Sequence, residues 1–215
     1  LWINHKRLLA GERIQGVRQV LIPDPDDAHN RQLTSLRQRL GRQKTQTINR
    51  IKHILNKHNL IHGKPTKMFQ TLAVRRWLRE LKLRVIDRLE MDQLLSGWEL
   101  IECQLQDVAV EIQKRSAVDC NAQILGTMTG KAGYTALAIA SRIGPIERFK
   151  SARSLANFFG LTPTCHSSGQ SKQLGHISKE GSPIVRFLLG QLVLHMLRRD
   201  AGLKAWYTKL KKRRG

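Results

Sequence analysis

A chain of 215 residues carrying a net charge of +22, with 40% hydrophobic and 25% charged residues and a pI near 11.0, is too apolar for a disordered basic tail. It can bury one or two cores, and its surface seeks polyanions, nucleic acid being the usual one for a folded basic protein. No apolar run reaches the length of a membrane-spanning helix, the opening "LWINHKRLLAG" is too short and too charged for a signal peptide, and Cys103, Cys120 and Cys165 match no zinc spacing and fit a reducing cytoplasm.

In chain order, "VRQVLIP" at 17–23 predicts a short strand bounded by Gly16 and Pro23. "DPDDAHNRQLTSLRQRL" then opens a helix, with Asp24 as N-cap, Pro25 at the first helical position and acids in the first turn. Three aspartates so close together raise a metal site as one reading, and capping as the better one. Leu33, Leu36, Leu40, Ile48, Ile51 and Leu55 carry the helix to about Lys57. Between Ala28 and Arg79 there are thirteen Lys and Arg and no acid, whereas nine of the sixteen acids fall between Glu80 and Asp119.

Those acids lie mostly on a second predicted long helix, from about Arg84 to Arg115. It repeats in heptads, with Met91, Trp98, Leu105 and Ile112 at one core position and Leu94, Ile101 and Val108 at the other. Two long helices joined by a basic linker predict an antiparallel coiled-coil hairpin or a dimerising arm, the plainer alternative being two members of a helical bundle. In each case Trp98 is a core residue.

"ILGTMTGKAGYTALAIASRIG", 124–144, looks like a helix-hairpin-helix, a motif whose glycine turn offers backbone N–H groups to a DNA phosphate without reading sequence. Gly130, Lys131 and Gly133 form the candidate turn; an ordinary helical turn is the alternative. The following "TPTCHSSGQSKQLGHISKEGSP", 162–183, has five serines, three glycines and one acid, and reads as a loop between apolar helices. Ser182 and Pro183 start the next helix, "IVRFLLGQLVLHML", on which Arg186 is a lone charge and a candidate phosphate clamp. Lys172 and Lys179 are candidate point charges for non-bridging oxygens, His166 a candidate proton acceptor, and His176 a solvated residue. The tail "LKAWYTKLKKRRG" is basic, with Trp206 and Tyr207 able to stack on bases.

The stretch "IASRIGPIERFKSARSLANFFGL", the Pro163 after it, "SSG" at Ser167 to Gly169 and "LGHISKEGSPIVRFLL" resemble the C-terminal domain of the insertion-sequence transposases of the one-ten family, which includes the Piv-type DNA invertases. Order and spacing agree from about Leu125 to Leu197, and the two long helices resemble the family's linking coiled coil. The resemblance implies a bacterial recombinase of the cytoplasm and nucleoid, built from a RuvC-like domain with four acidic metal ligands, a coiled coil and this serine-bearing domain. It implies DNA as substrate, a structured non-coding bridge RNA choosing target and donor, Mg2+ in the full-length protein and a homo-oligomer. It places the nucleophile at Ser168, with Gly169, Lys172, Gly175, Ser178, Lys179, Gly181 and Arg186 at matched positions.

Two departures stand out. The family's Pro-Gly-Ile-Gly hairpin is here Thr129, Gly130, Lys131, Ala132, so the second glycine is lost. The RuvC-like acids have no counterpart, which, with the missing initiator Met, points to a longer protein, predicts no metal ligand set in this chain and leaves the fragment alone inactive. The expected fold is mainly α. Residues 1–23 are read as a remnant of an α/β RuvC-like domain, 24–119 as the helical coiled-coil region, 120–200 as the serine-bearing domain with its helix-hairpin-helix-like turn, and 201–215 as a basic tail. A non-catalytic DNA- or RNA-binding module is the rival from another class, and a coiled-coil oligomerisation element the third.

Overall fold

A computed structural model describes residue 10 and residues 22–129, 133–168 and 171–214, with side chains for all of these except 129, 165–174 and 214. The strand expected at 17–23, all but two residues of it, and the Gly130–Lys131 turn lie outside the described residues. Helix α1, Pro25–Lys57, starts as its sequence dictates: the Asp24 carboxylate accepts from the Asp26 and Asp27 amides at 2.8 and 3.0 Å. Asp24 therefore caps the helix, and Asp26 and Asp27 are the acids of its first turn. Burial, with Asp24 alongside, pushes the Asp27 carboxyl above its ordinary value. At the other end Asn59, at φ 56, takes the left-handed turn while Leu60 N–H bonds back to Leu55 O at 2.8 Å.

Two further helices complete the first core. Helix α2 is Leu72–Glu80, capped by the Thr71 hydroxyl, and α3 is Val85–Val118. Helices α1 and α3 run antiparallel, pinned by Lys57 and His58 against Asp87 at one end, Lys44 against Glu102 in the middle (2.8 Å), and Arg115 reaching Asn30 Oδ1 at the other (3.3 Å). The two long helices thus pair as an antiparallel hairpin within a single chain. Met91, Trp98 and Ile112 are buried as the heptad requires, while Leu94, Ile101 and Leu105 are half-buried. Leu95, off the heptad seam, is buried instead of Leu94 in the core that Val74 and Leu78 of α2 share with α1 and α3. A third helix at that end widens a two-helix seam into a small bundle.

Trp98 is the centre of this core. It is fully buried, its indole N–H donates to Glu102 at 2.9 Å, its ring stacks on Phe69 at 6.2 Å, and the Arg75 guanidinium lies 4.5 Å over its face. Burial pulls the Glu102 carboxyl up, but hydrogen bonds from Lys44 and Arg75 outweigh it and hold the group below its usual range.

Asp87 supplies the hairpin's titratable latch. It is buried, and hydrogen bonds from Lys57 and then His58, 2.8 Å each, hold its carboxyl below the ordinary 3.8. A folded-state pKa below the unfolded one means the contribution is complete above about pH 4 and is lost as pH falls through the folded value. Asp87→Asn is therefore expected to lower the melting temperature at neutral pH, with the gap to wild type closing in acid. An equal gap at pH 7 and pH 3 would show the latch is not electrostatic.

Helix α4, Cys120–Thr129, and α5, Gly133–Ile143, follow, and Ala122 of α4 with Ala136, Leu137 and Ala140 of α5 pack against Leu40, Val108 and Ile112 of the long helices. Arg142 sews α5 to α1. It is buried and its guanidinium donates to Thr34 Oγ1, Ser35 Oγ and Ala138 O, each at 2.9 Å, while Arg31 Nε returns a bond to Ser141 O at 2.6 Å. Helix α6, Ala152–Phe158, a two-stranded sheet of β1 (Pro163–Ser168) and β2 (Ser171–Ile177), helix α7 (Pro183–Arg199) and helix α8 (Ala201–Arg214) complete the chain. Phe159, Val185 and Leu188 bury against Ala138 and Ile139 of α5. Mainly α is the fold observed. The basic tail is a helix, capped where Leu203 N–H donates to Asp200 Oδ1 at 2.9 Å, and it exposes Trp206 and Tyr207. Among the described residues no helix is long and apolar enough to cross a membrane.

Candidate functional site

The serine-rich segment is a β-hairpin, which corrects its reading as a loop. Antiparallel pairing sets Cys165 opposite Leu174, His166 opposite Gln173, Ser167 opposite Lys172 and Ser168 opposite Ser171. Only Gly169 and Gln170 stand between the last pair, and they lie outside the described residues. By register, Ser168 shares one face of the ribbon with His166 and Gln173, while Lys172 falls on the other with Ser167. Toward the base the register shifts by one residue between Pro163 and Cys165. Gly175 sits at that irregularity because a Cβ there would stand 2.4 Å from Thr164 Oγ1, which bonds to His176 O at 3.2 Å. His176 is exposed, as expected.

What holds the hairpin is its root. Helix α6 begins with Ser151 Oγ accepting from Ser154 N–H at 3.2 Å and ends with Gly160 at φ 65, where Gly160 N–H bonds to Asn157 O and Leu161 N–H to Ala156 O, both at 2.9 Å. The returning strand continues the ladder onto this turn through Ser178 N–H to Thr162 O (2.9 Å) and Lys179 N–H to Gly160 O (3.1 Å). Lys179 and Gly181 then take left-handed φ values of 57 and 77. The two turns press together so closely that a Cβ on Gly160 would lie 2.1 Å from Glu180 O, and one on Gly181 2.2 Å from Phe158 O.

Arg186 closes the arrangement in a way the sequence did not suggest. One Nη donates to Glu180 O at 2.8 Å, Phe159 O at 3.1 Å and Gly181 O at 3.2 Å. The side chain expected to clamp a phosphate donates to carbonyls that the two turns leave unpaired, and so fixes the hairpin's root. Ser182 occupies the N-cap position of α7 with no side-chain capping bond, and Pro183 takes N1. Lys179 is exposed beside the root, while the Lys172 side chain and the Gly130–Lys131 turn lie outside what the structure describes. Among the described residues no three His, Cys, Asp or Glu side chains stand together as candidate metal ligands.

The segment containing this root and hairpin, residues 122–208, matches the profile described as "Transposase IS116/IS110/IS902 family". Residues 122–208 are similar to that family. Over 198 residues, 85% of this chain, it is 29% identical to the "Transposase for insertion sequence element IS1111A" of Coxiella burnetii, of which the alignment covers 52%. It is also 33% identical over 88 residues to the "Transposase for insertion sequence element IS1328" of Yersinia enterocolitica, covering 41% of this chain and 26% of that protein. At best the chain spans about half the length of the curated relatives it matches. The matched segment starts within α4 and includes the whole hairpin, so the long α1/α3 pair lies before it.

Proposed function

We propose that this chain is the serine-bearing part of a DNA transposase that exchanges strands at insertion-sequence ends, with Ser168 as the nucleophile. The observation that supports this most is the placement of Ser168 at the last paired position of β1, on a ribbon whose root is fixed by Gly160, Gly181 and Arg186. A nucleophile on a ribbon with a rigid root meets its substrate in a defined direction, which is what positioning contributes to rate. In the proposed step Ser168 Oγ attacks a backbone phosphorus, a phosphoserine diester forms, and the strand's bridging oxygen leaves and takes up the proton given up by the serine. One phosphodiester replaces another, so the step is reversible and needs no external energy source. His166, on the same face by register, is a candidate for carrying the proton, and exposed Lys179 a candidate for meeting phosphate charge. Magnesium would be supplied by acidic ligands outside the described residues. A structured RNA guide, and a second copy in the assembly, complete the proposal.

The experiment takes the gene product that contains these residues, with DNA of the element ends, structured RNA and magnesium, and looks for a protein–DNA adduct that survives denaturation. Ser168→Ala is expected to abolish the adduct and to leave DNA binding within about twofold, because removing a nucleophile acts on chemistry more than on ground-state affinity. An adduct that persists in Ser168→Ala and vanishes in Ser167→Ala would move the nucleophile by one residue. Persistence in both would leave a non-catalytic nucleic-acid-binding module as the better reading.

A further inference from the structure

Apart from the serine hairpin, the described surface contains a cleft of about 510 Å3 between α1, the start of α5 and the start of α7. Its α1 wall carries Arg37, Gln38 and Arg42, and its far wall carries Pro183 and Phe187, with Tyr134 also lining it. The volume falls within the range of small-molecule sites, yet the walls differ sharply in chemistry. Arg37 is held in place, its guanidinium 4.4 Å from the centre of the Tyr134 ring. Arg75, Arg79, Arg88 and Arg115 are paired with carboxylates, whereas among the described residues neither Arg37 nor Arg42 has such a partner. Opposite them the Phe187 ring is 56% exposed on a helix whose inner face is otherwise buried through Val185 and Leu188.

An unpaired guanidinium pair facing a bare aromatic ring fits one kind of group better than others: a phosphate attached to a flat, stackable base. We propose that this cleft binds an unpaired nucleotide of a polynucleotide, with Arg37 and Arg42 on the phosphate, the base stacked on Phe187, and Gln38 able to donate and accept at the base or sugar. Base pairs inside a duplex cannot present their faces to Phe187, so the cleft selects unpaired strand over the interior of a duplex. The inference rests on nucleic acid being the partner but not on any chemistry at Ser168.

The test measures binding of the 215-residue chain to a fluorescent single-stranded oligonucleotide, in matched RNA and DNA versions, and to a blunt DNA duplex. Phe187→Ala is expected to weaken single-strand binding roughly tenfold or more, with duplex binding unchanged, whereas Phe187→Trp keeps it. Arg42→Gln should reduce the salt dependence of single-strand binding by about 0.7 per lost phosphate contact. Loss on RNA, on DNA or on both supports the pocket and names the strand it takes. No loss on either, or an equal loss on duplex, overturns it. Because Phe187 is exposed, the variant's melting curve should match wild type, and adduct formation at Ser168 is scored separately, so the two proposals fail independently.

Discussion

Gly160→Ala is expected to be among the most destabilising single-methyl additions this chain can receive, costing at least about 3 kcal/mol. Two causes add. The residue sits at φ 65, where a Cβ is strained in its own backbone, and that Cβ would stand 2.1 Å from Glu180 O and 2.4 Å from Glu180 N, both backbone atoms that have no rotamer to escape into. Relief requires prising the 180–181 turn off α6, which would also break the carbonyl bonds of Arg186. For a chain of this size the loss corresponds to a fall of roughly 6–12 °C in thermal unfolding. Gly190→Ala is the control. It lies inside α7 with nothing within 4 Å of an added Cβ, and should be neutral or stabilising by up to about 1 kcal/mol. Similar melting curves for the two variants would refute the close approach of the two turns.

Trp98→Ala is expected to cost about 3–5 kcal/mol, because the ring is fully buried where three helices meet and the cavity it leaves is lined by residues from each of them. The loss should exceed that of Trp98→Phe. Phenylalanine keeps a ring to stack on Phe69 and to lie under Arg75, and gives up mainly the 2.9 Å bond to Glu102. Urea unfolding of the three proteins measures both differences. Equal losses for alanine and phenylalanine would mean that the indole hydrogen bond, and not packing, sets the stability of this core.

The long helices were legible because their signals are local. An aspartate N-cap followed by proline, and four heptad repeats, fix Pro25–Lys57 and Val85–Val118 within a few residues. The pairing of Leu95 with α2 was not legible, since a heptad cannot announce a third helix beside it. The serine ribbon was hidden for a different reason: Leu174 and Ile177 are its only large apolar residues, so no alternating apolar pattern marks it as a strand. A signal was nevertheless present, since Gly-Gln between two serines matches the glycine-first, two-residue connection of tight hairpins. Arg186 shows the limit of reading a charge from sequence. A guanidinium on an apolar helix announces a demand for oxygen acceptors, and backbone carbonyls left unpaired by two turns answer that demand as a phosphate would.

The bonds from Arg142 to Thr34 and Ser35 have a mechanical consequence. They fasten the module that carries the serine ribbon near one end of α1, and from Thr34 the helix runs on to Lys57 over roughly 35 Å at about 1.5 Å per residue. The molecule is a boom on a fixed bracket. Anything gripped along the boom is offered to the ribbon at a distance counted in residues, and matched seven-residue changes in α1 and α3 would alter that reach by about 10 Å while keeping the same faces packed. The distance from a point on α1 to the ribbon is therefore written into helix length, a property that no single side chain carries.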